Sequence, residues 1–432
     1  MKAYIPYVND LKRLVLERRG ESSFRYMAER AVNGEASSRL AELVSAHALK
    51  RTGAFFSSSE LSVRAAARIE SGEIEFKGLI TDPACGAGNL LLAAAQKLPV
   101  QSSLSATLRC WGQHLAGFDL HAEFILATHL RLAILALLRG AEFDLPANLS
   151  LEVYFPHIKQ GDGLRGLIRL AGAMTHILIN PPFGFTTADE KCQWTQGKVT
   201  KAAVFFDQCL EALPPNIHVS AILPDVLRTG SRYERWRKSI EQRAEVLSIT
   251  QEGNFGTADV DVFLLTLNTN RGQRSATTRK CWWEDSKASE TVGDRFEVHV
   301  GAVVPHRLTD NEGPLYPFVH AKALPFWGVC TPGSEKVSFA GKAVRPPFVV
   351  VRRTSSPSDR HRALGTVIRG SDLVAVENHL VVCSPKLGGM AACKALLKIL
   401  QQPSTNSFLN QRICCRHLTV GVVKDIPWVA LE

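Results

Sequence analysis

The sequence predicts a doubly wound α/β domain, with a helical region before it and a basic α+β segment after it. Between residues 78 and 268, short apolar runs alternate with helical stretches, the rhythm of a sheet covered by helices on both faces. Several of those runs end in a glycine turn or a carboxylate, where such sheets place their ligands. Charge is uneven as well: Lys and Arg against Asp and Glu number 29 to 28 over residues 1–270 but 22 to 13 over 271–432, so almost all of the +10 excess falls in the last third. A chain of 432 residues is too long for one ordinary core, and the expected division is 1–60, 61–270 and 271–432.

Residues 20–50 read as helix, because "FRYMAERAV" and "SSRLAELVSAHALK" repeat apolar residues at spacings of three and four. "FFSSSELSVRAAARIE" offers a further helix start, with Ser57 and Glu60 in capping-box relation. The strands expected next are "GLITDPACG", "LAGFDL", a region ending in "QGDGL", "THILINPPFG", "HVSAILPD" and "DVFLLTL". Helices are expected at "NLLLAAAQKL", "AEFILATHLRLAILALL" and "VFFDQCLEAL". The polar stretch "NRGQRSATTRK" at 270–280 reads as a linker. Beyond it "PPFVVVRRTSS", "GTVIRG" and "NHLVVCS" read as β, and "MAACKALLKILQQ" as helix.

Composition narrows the class. An apolar share of 45% with 21% charged residues belongs to a globular protein. The N-terminal "MKAYIPYVNDLKRL" has no signal-type apolar run, and "FILATHLRLAILALLRG" is broken by His129 and Arg131 and too short to span a bilayer, so a cytoplasmic, membrane-free protein is expected. Ten cysteines include no CxxC pair. The nearest metal pattern, Cys414, Cys415 and His417, has adjacent thiols at the wrong spacing for tetrahedral zinc, so reduced thiols and no metal are expected.

The first chemical feature is "TDPACGAGNLLLAAA", an apolar strand ending in Asp82, followed by Gly86 and Gly88 and then a helix. Alternate glycines let the backbone turn tightly and approach a ligand. The next strand end supplies Asp119, suited to accepting hydrogen bonds from ribose hydroxyls, and the third supplies Asp162 between glycines, suited to a purine amine. Singly, each acid reads as a turn or capping residue; three in register at successive strand ends favour a nucleoside cofactor.

In this order, "DPACGAGN", "GFDL", "GDGL" and "NPPFG" resemble the motifs of S-adenosylmethionine-dependent N6-adenine DNA methyltransferases. "KRTGAFFSSSEL" looks like the cofactor-contacting segment that precedes the nucleotide loop in the γ arrangement and in type I modification subunits. Later segments, "AAVFFDQCLEAL", "SAILPDVLRTGSRYERWRKSIEQ" and "NFGTADVDVFLLTL", are similar too, so the resemblance covers roughly residues 45–268. It implies a Rossmann-like methyltransferase sheet over 61–270, a cofactor-contacting segment within 1–60, and a target recognition domain over 271–432. It also implies S-adenosylmethionine contacts from Thr52, Gly53, Phe56, Asp82, Pro83, Ala84, Gly86, Gly88, Asp119, Leu120, Asp162, Gly163 and Asn180. Two positions depart from the pattern. Ser57 and Ser58 stand where Thr-Pro is usual after the aromatic residue, and Asn89 stands where an aromatic or apolar residue commonly follows the second glycine.

The resemblance places catalysis on Asn180, Pro181, Pro182 and Phe183. Adenine's exocyclic amine is a poor nucleophile because its lone pair is delocalised into the ring. An amide oxygen from Asn180 and the carbonyl of Pro181, accepting both N–H bonds, would draw the nitrogen toward tetrahedral geometry. Proline aims its carbonyl rigidly and adds no competing donor. Phe183 would stack on an extruded base, worth about 1–3 kcal/mol. Phe255 stands where the family often has a second aromatic against that base, and a core or turn role is equally open. "TTADEKCQWTQGKVTK" lacks apolar periodicity and reads as a mobile loop near the substrate or, equally, as an ordinary exposed connection.

In the basic third, Arg345, Arg352, Arg353, Arg360, Arg362 and Arg369 cluster within 25 residues and are expected to meet DNA phosphates. Asn410, Gln411 and Arg412 are candidate base readers, or helix-capping and packing residues. The leading expectation is therefore a DNA adenine-N6 methyltransferase acting on double-stranded DNA in a restriction-modification or related defence system. The "PD" at 224–225 and "DSK" at 285–287 are distant from each other and read as turns, so no nuclease site is expected in this chain; a cognate restriction endonuclease or a specificity subunit remains compatible. A protein-glutamine or RNA methyltransferase using the same NPPF site is the enzymatic alternative, and a cofactor-retaining DNA-binding scaffold or a modification subunit dependent on a specificity protein is the other.

Overall fold

The structure, a computed structural model, describes residues 2–17, 21–45, 47–49, 53, 56–68, 78–146, 150–188, 192–254, 260–269, 282, 289–305, 313–356, 359–413 and 417–429. It divides into two compact units: one comprises Met1–Arg228 and Arg232–Lys280, the other Thr229–Ser231 and Cys281–Glu432. The linker stretch at 270–280 and the "DSK" at 285–287 lie outside the described residues.

The first unit contains β1 (Leu79–Asp82), β2 (Leu115–Asp119), β3 (Ile158–Gln160), β4 (Met174–Ile179), β5 (Phe185–Thr187), β6 (Lys198–Thr200), β7 (His218–Pro224), β8 (Ala244–Asn254) and β9 (Asp261–Thr269). Seven of these form one sheet in the order β3-β2-β1-β4-β7-β9-β8, while β5 and β6 form a separate hairpin. The first five strands of that order run parallel, and β9 runs antiparallel to both β7 and β8. The chain winds outward from β1 to β3 and then restarts at β4 on β1's other side. This reversal opens a crevice at the carboxyl ends of β1 and β4.

The central strands are buried on both faces, which is why they read as continuous apolar runs: all of β1 and six of the seven residues of β7 are buried. β8, absent from the sequence expectations, is an edge strand whose polar residues reach solvent, so it lacks that signal. Helix Ala122–Leu138 is buried nearly all round. His129 and Arg131, which interrupt its apolar run, are inside the protein and carry their own partners: His129 Nε2 faces the Ile158 carbonyl at 3.2 Å, and burial pushes this imidazole down to about 4. Among the described residues, no helix is long and apolar enough to cross a membrane.

Three N-terminal helices, Ile5–Glu17, Glu21–Val32 and Glu35–Leu43, precede the sheet; the first was not foreseen. Helix Ser59–Ala65 is capped by Ser58, whose hydroxyl accepts the Leu61 N–H at 3.2 Å, one position after the expected Ser57.

The second unit centres on strand Phe348–Arg352, which pairs antiparallel with Gly365–Ile368 and Leu380–Pro385. Val349 and Val351 face a core shared with Leu396, Leu397 and Leu400 of helix Gly389–Gln401, while Phe348 and Val350 face a second core with Ile368, Leu380 and Val382. Burial on both sides accounts for the uninterrupted "FVVV".

Candidate active site

At the end of β1, Asp82 is 1% exposed, and its Oδ1 accepts the Ala84 N–H at 3.0 Å. Burial pushes its carboxyl up to about 8; the Ala84 N–H pulls the other way, and Asp119 adds to the rise. Asp119, from the end of β2, fastens the same loop: its Oδ2 accepts the Gly86 N–H at 3.2 Å and its Oδ1 the His121 N–H at 2.8 Å. Burial raises this carboxyl as well, opposed by those donors. Gly86 is needed for two reasons, its φ of 52° and the Phe56 ring, whose Cε1 would lie 2.5 Å from a Cβ.

Beyond β3, Asp162 caps helix Gly163–Leu170, its Oδ1 accepting the Leu164 and Arg165 N–H groups at 2.8 and 3.2 Å. The capping role and a place on the cavity wall coexist. A Cβ at Gly163 would stand 1.8 Å from the Pro83 carbonyl oxygen, so only glycine lets this helix meet the β1 loop.

After β4 come Asn180, whose side-chain oxygen is buried, then buried Pro181 and half-buried Pro182. The Phe183 N–H donates to the Gly53 carbonyl at 3.1 Å, and a Cβ at Gly53, where φ is 73°, would lie 2.0 Å from the Phe183 oxygen. The segment carrying Gly53 and Phe56 is thereby held to the NPPF turn. Phe183 itself is 4% exposed and does not line the cavity, so its ring is not the open stacking face expected; Phe185, two residues on, is 62% exposed.

These pieces enclose one cavity of about 310 Å³, within the range of small-molecule sites. Gly53, Phe56, Asp82, Pro83, Ala84, Gly86, Asp119, Leu120, Asp162, Gly163, Asn180 and Pro182 all line it. Gly88 does not; it starts helix Asn89–Ala95 with φ 87° and backs onto Thr128. Thr52 and Phe255 lie outside the described residues. Sequence reading missed Phe124 and Phe205, which also line the cavity. Phe124 meets Phe56 edge-on with centroids 5.1 Å apart, forming an aromatic wall. Its place three residues after His121, in the first turn of the helix leaving Asp119, was the available signal.

In the second unit the six arginines part company. Arg362 is 1% exposed and bonded to Ser355 Oγ, Asn410 Oδ1 and the Ile413 carbonyl at 3.1, 2.9 and 2.7 Å. It cannot reach a phosphate, and it occupies Asn410, a candidate base reader. Arg352 donates to the Leu324 carbonyl and lies over the Phe326 ring, while Arg353 donates to the Asn378 carbonyl. Arg345, Arg360 and Arg369 are exposed. Arg412 bonds Asp425. Cys414 and Cys415 lie outside the described residues, and no group of three metal-ligating side chains occurs among the described ones.

No protein-family model and no curated protein matches the chain. Solved structures do. The type IIL restriction-modification enzyme MmeI, in complex with DNA, is similar over 90% of this chain and 70% of that one, at 12% identity and a TM-score of 0.51. A type I restriction-modification methyltransferase subunit from Streptococcus thermophilus matches 56% of this chain at 14% identity and TM-score 0.36, and the type I restriction enzyme EcoKI M protein matches 50% at 15% and 0.35. The chain spans about half the length of those two subunits, 52% and 44%. The likeness to MmeI is one of fold: a mixed α/β architecture with a large, mostly parallel sheet.

Proposed function

We propose that the protein is an S-adenosylmethionine-dependent DNA methyltransferase that modifies the exocyclic amine of adenine, within a restriction-modification or related defence system. The observation that carries this reading is the convergence of Asp82, Asp119, Asp162 and Asn180 on one cavity, from the carboxyl ends of four neighbouring parallel strands.

The residues present fit the cofactor. Each Asp119 oxygen is oriented by one backbone N–H and keeps a further lone pair for a ribose hydroxyl. Phe56 and Phe124 offer an apolar wall, and Asp82 supplies a buried acid that a bound cation would ionise. When bound, S-adenosylmethionine supplies an electrophilic methyl group. The chain's own part is to hold the amine: the Asn180 amide oxygen and the Pro181 carbonyl accept its two N–H bonds, and proline keeps the turn rigid. Orientation is the main catalytic contribution, and the amine's surplus proton leaves to solvent. The second unit is the DNA recognition module in this reading, with Arg345, Arg360 and Arg369 the cations available to phosphates.

Incubation with labelled S-adenosylmethionine and diverse duplex DNA, followed by sequencing for N6-methyladenine, tests the proposal. Asn180→Ala is expected to lower transfer by at least about 100-fold. Unchanged transfer would remove the mechanism, and label confined to RNA or protein would remove the substrate.

A further inference from the structure

The hairpin that follows the NPPF turn has two unlike faces. It pairs Phe185 with Thr200, Thr186 with Val199 and Thr187 with Lys198. Residues 185, 187, 198 and 200 therefore share one side, and 186 and 199 the other. Val199 is fully buried, which anchors the inner side. On the outer side Thr200 caps helix Lys201–Ala212 through the Ala203 N–H, while Phe185, Thr187 and Lys198 are exposed. The Lys198 ammonium lies over the Phe185 ring, 5.0 Å from its centroid.

An outward strand position ordinarily takes a polar residue, and here a 62%-exposed phenylalanine takes it, with a cation over its ring. The expected loop is in fact fastened throughout its described part. The Lys201 N–H closes its base on the Gly184 carbonyl at 2.9 Å, Arg232 holds the Gln196 carbonyl at 2.5 Å, and buried Trp194 donates to Asp207 at 3.2 Å. Both ends lead straight into the cavity wall, at Pro182 before the hairpin and at Phe205 in the helix after it. Among the described residues, the charged groups on or against the hairpin are Lys198, Lys201, Arg232 and Asp207, and Asp207 is held by Arg243. The outer face thus combines an aromatic plane, a hydroxyl and an ammonium that makes no ion pair among the described residues.

We propose that Phe185 and Lys198 form a nucleic-acid contact at the mouth of the cavity, the ring stacking on a base beside the nucleotide that enters and the ammonium meeting its phosphate. This rests on the methyl-transfer reading of the cavity.

The test uses the full chain and three variants, Phe185→Ala, Phe185→Trp and Lys198→Ala. Cofactor affinity is measured by titration, and binding of fluorescently labelled random-sequence DNA, single-stranded and duplex, is followed across salt concentrations. Phe185→Ala is expected to weaken DNA binding about tenfold while Phe185→Trp keeps it, because stacking needs only an aromatic plane. Lys198→Ala is expected to shallow the salt dependence by roughly one phosphate's worth. All three should bind cofactor as the parent does. Phe185→Ala and Lys198→Ala chains that bind cofactor and DNA like the parent would overturn the inference. A parent chain that binds DNA yet methylates none would instead overturn the proposed function, and leave the binding comparison readable.

Discussion

Arg131 donates to the side-chain oxygen of Asn89 at 2.6 Å, deep inside the first unit and with no carboxylate partner among the described residues. The same guanidinium holds the Ala31, Val32 and Ala87 carbonyls, and Asn89 passes its own N–H to the Ser57 carbonyl at 2.5 Å. The end of helix Glu21–Val32 is thereby tied to the glycine loop. Arg131→Met would strand four acceptors, three of them buried, and a loss of at least about 3 kcal/mol in urea unfolding is expected. Asn89→Leu, which restores an apolar residue there, should cost about 1–3 kcal/mol and weaken cofactor binding, because Ser57 lines the cavity.

Close backbone approaches predict a second sensitivity. Gly163→Ala drives a methyl group into the Pro83 carbonyl, and Gly53→Ala drives one into Phe183. Each should destabilise by about 2 kcal/mol or more, read as a lowered Tm, with cofactor affinity falling alongside.

Asp82 makes stability depend on pH. Its folded carboxyl is raised from 3.8 to about 8, so across that window the folded chain holds a proton that the unfolded chain has released. Stability from this group is full at acidic pH, falls as pH rises toward 8 and is then level. Urea midpoints at acidic, neutral and alkaline pH should show that decline, and Asp82→Asn should flatten it while weakening cofactor binding.

The arginines of the second unit separate by test. Arg362→Ala is expected to lower stability by about 3–5 kcal/mol, since it empties a buried hydrogen-bonded site. Arg345→Ala, Arg360→Ala and Arg369→Ala should leave the unfolding midpoint within about 0.5 kcal/mol and each reduce the salt slope of DNA binding.

The sequence by itself determined the sheet's central strands and the order of its chemistry. β1, β2, β4 and β7 were legible because strands buried on both faces must be apolar, and Asp82, Asp119 and Asn180 because strand ends are where the apolar run stops. Tertiary structure decided what local pattern cannot encode. β8 was hidden because an edge strand has no apolar run, and Phe124 and Phe205 because their cavity is assembled from segments far apart in the chain. Arg131 and Arg362 look like surface charges in a string of letters, yet carbonyls and amides brought from distant segments make each a buried fastener. Phe183 and Phe185, two residues apart and identical in type, differ in exposure, 4% against 62%, because Phe183 stands in the turn whose backbone bonds Gly53 while Phe185 stands on the outward side of a hairpin.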